Sequence, residues 1–205
     1  METGGLWGAV LAGGPGSRLG GGKPFKEIAG RRLIDLALKS LGRVCPQLMI
    51  VTNDVAAYAE HPCLVLADRW PGRGPLAALA TAFLDSPAQG VLLMAVDMPL
   101  VRPELLAALA LAHGREKALA PLGPRWPEPL LAYYSRDCLP AIMRLLEQGD
   151  RRPRMLLKAV GAELMPREEV LAHDPEGLSF MNVNFPEDLE QAEREGRLRG
   201  LFDTA

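Results

Sequence analysis

The sequence has little of what covalent and metal-based chemistries usually require. Its 205 residues include three cysteines and three histidines, and 5% are aromatic. Cys45, Cys63 and Cys138 are scattered, odd in number and without Cys-x-x-Cys spacing, which argues against a disulfide framework or a zinc site; all three read as free thiols in a reducing compartment. His61, His113 and His173 lack metal-ligand spacing and read as structural or surface residues. No Ser/His/Asp or Cys/His arrangement for covalent catalysis is visible. No apolar run approaches the ~20 residues that span a bilayer, and Glu2 stands where a secretion signal would be basic, so a cytoplasmic protein off the membrane is expected. A formal net charge of −2 gives no general reason to expect nucleic acid as a partner. Repeats and low-complexity linkers are absent as well. Residues 1–205 therefore read as one domain, long enough to bury roughly 70% of its unfolded surface.

What is present is glycine in one place. Leu11-Ala-Gly-Gly-Pro-Gly-Ser-Arg-Leu-Gly-Gly-Gly-Lys-Pro-Phe25 carries six glycines and two cations behind the apolar run Leu6-Trp-Gly-Ala-Val-Leu-Ala12. Glycine lets successive N–H groups turn toward one anion and approach it closely. Arg18 adds a planar fork of donors and Lys23 a compact charge on a mobile stem, so the stretch reads as a phosphate cradle. The plain alternative is a surface loop with incidental charge, but a position between a strand and a helix is where open α/β sheets hold ligands. It is not a Walker loop, because Ser17 stands where the first glycine belongs and Pro24 follows the lysine; Leu19 breaks the dinucleotide fingerprint.

Further along, Arg32–Leu41 has helical spacing, with Gly42 as a stop. Leu48–Thr52 and Leu64–Ala67 read as strands ending at Asn53-Asp54 and Asp68, and Pro75 opens a helix running to about Phe83. Gly90–Val96 is the most continuous apolar run, suited to a central strand covered on both faces, and it ends at Asp97-Met-Pro99. A helix over 103–112 follows. Residues 6–112 thus form a Rossmann-like α/β half with polar residues at strand ends.

The rhythm then changes. Strands at 118–120 and 130–134 flank a Gly/Pro/Trp loop, Asp137 is placed to cap a helix to Glu147, and a short helix covers 155–160. A strand at 162–165, a polar loop holding His173 and a charged C-terminal helix complete a second half, 117–195.

Asp97 is the leading candidate outside the loop. A carboxylate ending a central apolar strand is costly to bury without a cation, and Mg²⁺ with nucleotide phosphates is one such partner; the alternative is a cap on the turn before Pro99. Asp68 is a second, with an ordinary strand-end turn as its alternative. Asn182 and Asn184, two apart in an extended segment, would present their amides into one cleft, unless Asn184 only caps the helix from Pro186. Arg151, Arg152 and Arg154 are either a solvated face or a receiver for an acidic phosphate.

Taken together, Leu11–Pro24 resembles the signature L-A-G-G-x-G-S-R-L/M-G-G-x-K-P of the GT-A-like nucleotidyltransferases, in particular the molybdenum cofactor guanylyltransferases; Asn53, Asp68, Asp97-x-Pro99 and Asn182-x-Asn184 extend the resemblance to Leu189. The resemblance implies a three-layer α/β/α fold with a mostly parallel mixed sheet, its first half binding nucleotide and its second the acceptor. It implies transfer of GMP from Mg-GTP to the terminal phosphate of molybdopterin cofactor, with Lys23, Arg18 and Asp97 as catalytic groups and Asp97 holding Mg²⁺. Leu11, Ala12, Gly13, Gly14, Gly16, Asn53, Asp68, Asn182 and Asn184 would line the ligands. Molybdoenzymes or cofactor-delivery proteins are the implied protein partners. Gly22 departs from the pattern, since many relatives carry Asp before the lysine. The alternatives are a cytidylyltransferase on the same cofactor, another guanylyl or sugar nucleotidyltransferase, and a nucleotide-binding module without turnover.

Overall fold

The computed structural model describes residues 5–14 and 19–202. Leu6–Leu11 (β1) leads into a small hairpin of Glu27–Ile28 (β2) and Arg31–Arg32 (β3), then helix Leu33–Gly42 (α1). Gln47–Thr52 (β4), Leu64–Ala67 (β5), helix Pro75–Leu84 (α2), Gly90–Ala95 (β6) and helix Pro103–Ala110 (α3) complete the first half. The second half contains Ala118–Pro121 (β7), Leu131–Ser135 (β8), Leu139–Glu147 (α4), Pro153–Val160 (α5), Glu163–Met165 (β9), Arg167–His173 (α6) and Pro186–Leu198 (α7).

Seven strands form one sheet in the order β5-β4-β1-β6-β8-β7-β9. The first four run parallel, β8 is antiparallel to both β6 and β7, and β9 returns parallel to β7. Alternation along the strands feeds a separate core on each face. Val10, Leu92 and Met94 pack with Leu33, Leu105 and Val183 on one side, while Ala9, Val91 and Leu93 pack with Leu79, Phe83 and Ile142 on the other. Every residue of β6 is buried, as its unbroken apolar composition requires of a strand covered on both faces. The result is the expected three-layer α/β/α arrangement, with helices on both sides of a mostly parallel mixed sheet.

Connections leave β1 toward β4 and leave β6 toward β7, so the order reverses between β1 and β6. Leu11 is the register partner of Ala95, and the chains following these two residues therefore start side by side at the carboxyl end of the sheet.

Some local expectations are corrected. The β2–β3 hairpin was not anticipated; its turn uses Ala29 at φ 51 and Gly30 at φ 72, and two-residue strands are too short to show alternation. His173 ends α6 rather than sitting in a loop, because Val170 gives that segment a buried side. Ser135, not Asp137, caps the turn before α4, its hydroxyl accepting the Asp137 N–H at 3.2 Å. Residues 181–184 are irregular rather than a strand.

Candidate functional site

Lys23 opens a 3-10 turn, Lys23–Phe25, in which Pro24 supplies a fixed φ and Gly22 takes the left-handed conformation at φ 59. The turn aims the lysine inward. Its Nζ donates to Asp97 Oδ2 at 2.7 Å and to Asn184 Oδ1 at 3.0 Å, closing sequence separations of 74 and 161 residues. The Lys23 and Asp97 side chains are 14% and 22% exposed. Asp97 thus spends its carboxylate on a cation across the cleft.

Asn184 is brought there by the backbone of its own segment. Val183 N–H donates to the Asp97 carbonyl at 2.8 Å, pinning the segment to the end of β6. Asp188, in the first turn of α7, accepts the N–H groups of Asn184 and Phe185 at 2.7 and 2.8 Å. Asn184 is therefore not the cap of α7, and its side chain is left for Lys23.

A cavity of about 520 Å³ lies in front of these groups, lined by Leu11, Ala12, Gly13, Gly14, Lys23, Asp68, Asp97 and Asn184 together with Gly74 and Pro75. The last two bring the N-terminus of α2, the positive end of its helix dipole, to the same space. Asp68 accepts from Trp70 N–H at 2.9 Å and from the Thr81 hydroxyl at 3.4 Å, so its strand-end turn is real and it also faces the cavity. Asn53 stands behind the loop, donating to the Gly13 carbonyl at 2.7 Å. Gly16 and Arg18 lie outside the described residues.

Asn182 does not share this cavity. It lines a second one of about 640 Å³, with Arg151, Arg152, Arg154, Trp126 and Glu128, while its amide donates to the Phe180 carbonyl at 3.2 Å. Leu130 lines both cavities. The three arginines have different attachments. Arg152 pairs with Asp150 at 2.7 Å and pulls that carboxyl down to about 2. Arg151 donates to the Gly72 carbonyl at 3.4 Å, tying the basic loop to the first cavity's rim, and Arg154 lies over the Trp126 ring.

Glu128 and Trp126 were missed in the sequence. Burial, with the Asp97 charge adding to it, raises the Glu128 carboxyl above its ordinary value although it accepts the Leu130 N–H at 3.0 Å. The available signal was a carboxylate between two prolines, Pro127-Glu128-Pro129, which is an unusual way to spend a surface acid.

Covalent catalysis finds no support among the thiols. Cys45 and Cys138 are buried, and burial pushes them up to about 12 and about 11. His61 and His113 serve the packing: His61 bonds Asp35 and the Tyr58 carbonyl, and His113 bonds the Tyr133 hydroxyl at 3.2 Å beside Gly90, where any Cβ would collide with both rings. Among the described residues no group of three His, Cys, Asp or Glu side chains could hold a metal ion, so protein ligands alone would not complete a site. Two carboxylates lining the same cavity do fit Mg²⁺, which takes one or two carboxylates and fills its remaining positions with phosphate oxygens and water. No described helix is long and apolar enough to cross a membrane.

Comparison with known proteins gives a consistent result. Residues 8–165 match the MobA-like NTP transferase domain. A molybdenum cofactor guanylyltransferase of Desulfosudis oleivorans is 33% identical over 194 residues, covering 91% of this chain and 93% of that protein. The crystal structure of molybdopterin-guanine dinucleotide biosynthesis protein A from Archaeoglobus fulgidus superposes with a TM-score of 0.81 at 30% identity, over 94% of this chain and 99% of that one.

Proposed function

The chain belongs to the MobA-like NTP transferase family and is a nucleotidyltransferase, and from that premise we propose that it transfers GMP from Mg-GTP to the terminal phosphate of molybdopterin cofactor, releasing pyrophosphate. The observation that carries the proposal is the meeting of Lys23, Asp97 and Asn184 at a cavity walled by glycines and a helix N-terminus.

In this reading the 6–112 half holds the nucleotide and the 117–195 half the acceptor, within one domain. Main-chain N–H groups at Gly13 and Gly14, with Lys23, take the phosphates, and Gly16 and Arg18 are assigned to the same task. Asp97 would hold Mg²⁺, with Asp68 beside the same cavity; a bound Mg²⁺ would neutralise charge building on the phosphate oxygens. Lys23 then exchanges Asp97 for a phosphate oxygen, while Asn184 keeps its amide at the junction. Leu11, Ala12 and Asn53 shape the base side of the loop. Asn182 and Arg151 face the acceptor from the second cavity, where the N-terminus of α5 and the arginines favour an acidic group. The acceptor phosphate is itself the nucleophile, which agrees with the absence of an activated thiol.

Pyrophosphate release measured with GTP or CTP, Mg²⁺ and molybdopterin cofactor tests the proposal. Turnover with GTP supports it, turnover with CTP alone overturns the base assignment, and nucleotide binding without turnover on this acceptor overturns the assigned acceptor.

A further inference from the structure

The second cavity has an aromatic feature that the transfer chemistry does not use. Trp126 is 67% exposed, more open than any other large apolar side chain of the described residues except Leu198. Its backbone, in contrast, is tightly held. Gly123 N–H donates to the Trp126 carbonyl at 3.1 Å, closing a turn over Gly123-Pro124-Arg125-Trp126, and Leu122 bridges to Pro127 across its base. Prolines at 124 and 127 remove backbone freedom, and Leu122 N–H is anchored to the Met165 carbonyl at 3.1 Å. A rigid turn thus holds an indole in the open, at the cost of exposed apolar area.

The Arg154 guanidinium carbon lies 5.9 Å from the indole ring centroid. Such a contact supports the ring in place. Most of the indole nevertheless stays accessible, and it lines the cavity together with Arg151, Glu128 and Asn182. Cations, an amide, a carboxylate and an open aromatic face together suit a flat heteroaromatic that carries a phosphate and has hydrogen-bond donors on its edge.

We infer that Trp126 is the stacking platform for the planar ring of the acceptor and sets the preference for a pterin over a non-aromatic phosphate ester. This rests on the acceptor assignment above. A flat ring also occurs in the nucleotide base, so the test reads the two substrates separately.

Steady-state kinetics of the whole protein should be compared for Trp126→Ala and Trp126→Phe, varying acceptor and GTP in turn, alongside direct binding of 6-hydroxymethylpterin and of glycerol 3-phosphate. Losing a ring stack is expected to raise the acceptor KM roughly 5- to 150-fold in Trp126→Ala, with Phe restoring most of it and the GTP KM unmoved. 6-Hydroxymethylpterin binding should weaken in Trp126→Ala, while glycerol 3-phosphate binding should not. An unchanged acceptor KM, a Phe variant as impaired as Ala, or a rise in the GTP KM instead would each overturn the inference. Failure of the wild-type protein to turn over molybdopterin while 6-hydroxymethylpterin binding still depends on Trp126 would overturn the acceptor assignment and leave the platform standing.

Discussion

The Lys23–Asp97 pair yields the most demanding prediction, because the same two side chains are asked to stabilise the ligand-free fold and then to part. At 2.7 Å the gross attraction at an effective dielectric of 20 is roughly 6 kcal/mol. Most of that is offset by the desolvation of two groups that are 14% and 22% exposed. The net value of the pair is therefore small, whereas removing one partner strands the other. Lys23→Ala or Asp97→Ala alone should each lower unfolding stability by about 2–4 kcal/mol, and the double variant should lose little more than either single one. A coupling energy of about 1–3 kcal/mol in denaturant titrations without ligand is the expected reading. Losses that simply add would show that the pair does not hold the cleft. Activity separates the two residues further. Asp97→Ala should lower turnover by ~10²-fold or more and raise the Mg²⁺ concentration needed for half-maximal rate, and Lys23→Ala should weaken GTP binding as well as slow turnover. An Mg²⁺ dependence unaltered in Asp97→Ala would refute the metal role even if the rate fell.

Other expectations follow from single contacts. A Cβ on Gly13 would sit 3.4 Å from Asn53 Nδ2 and 3.5 Å from Oδ1, so Gly13→Ala should fold normally yet lose roughly 10- to 100-fold of the GTP-over-CTP preference in kcat/KM; an unchanged ratio would take base reading away from this position. Because burial raises the Glu128 carboxyl, the folded chain keeps a proton there that the unfolded chain has released, and stability falls as pH climbs from 4.5 through the raised value. Glu128→Gln removes that loss, so the variant should gain on the wild type between pH 4 and pH 8 in thermal melts, and a constant difference would contradict it. Gly22 has φ 59 with open space around its Cβ, a conformation that Asp tolerates, so Gly22→Asp should leave the melting temperature within a few degrees and lower the Mg²⁺ requirement; an unaltered requirement would mean that the missing carboxylate has no part in the metal site.

Legibility followed periodicity and local chemistry. Residues 90–95 were readable as the covered central strand because Gly90 and five consecutive apolar side chains leave no polar face, and Pro75 marked the first position of α2 as its missing N–H allows. The β2–β3 hairpin was invisible for the opposite reason, since two residues per strand cannot display a period of two. At the site, the glycine loop announced itself through composition, and Asp97 through its place after an apolar run. What sequence spacing misjudged was Asn182-x-Asn184. Two residues apart means one face only in a regular strand, and here Val183 is bonded to Asp97 and Asp188 caps from the other side, so the two amides diverge into different cavities. The partners of Arg151, Arg152 and Arg154 depend on loops 28 or more residues away or on a local acid, which charge counting cannot distinguish.

The divergence of the asparagines bears on the reaction itself. A displacement at phosphorus needs the attacking and leaving oxygens on opposite sides. If both asparagines faced the nucleotide, the second half of the chain would offer the acceptor no separate approach. With Asn184 on Lys23 and Asn182 in the arginine-lined cavity, the segment 182–184 spans the boundary between the two spaces, and Leu130 forms a wall of both. In the proposed reaction, a phosphate arriving from the second cavity would cross beside Asp97, and pyrophosphate would leave on the side of Gly13, Gly14 and the N-terminus of α2. Arg151 ties the two rims through the Gly72 carbonyl. The antiparallel insertion of β8 beside β6 is what makes this possible, since it delivers the Glu128–Leu130 segment to the very strand end where Asp97 emerges.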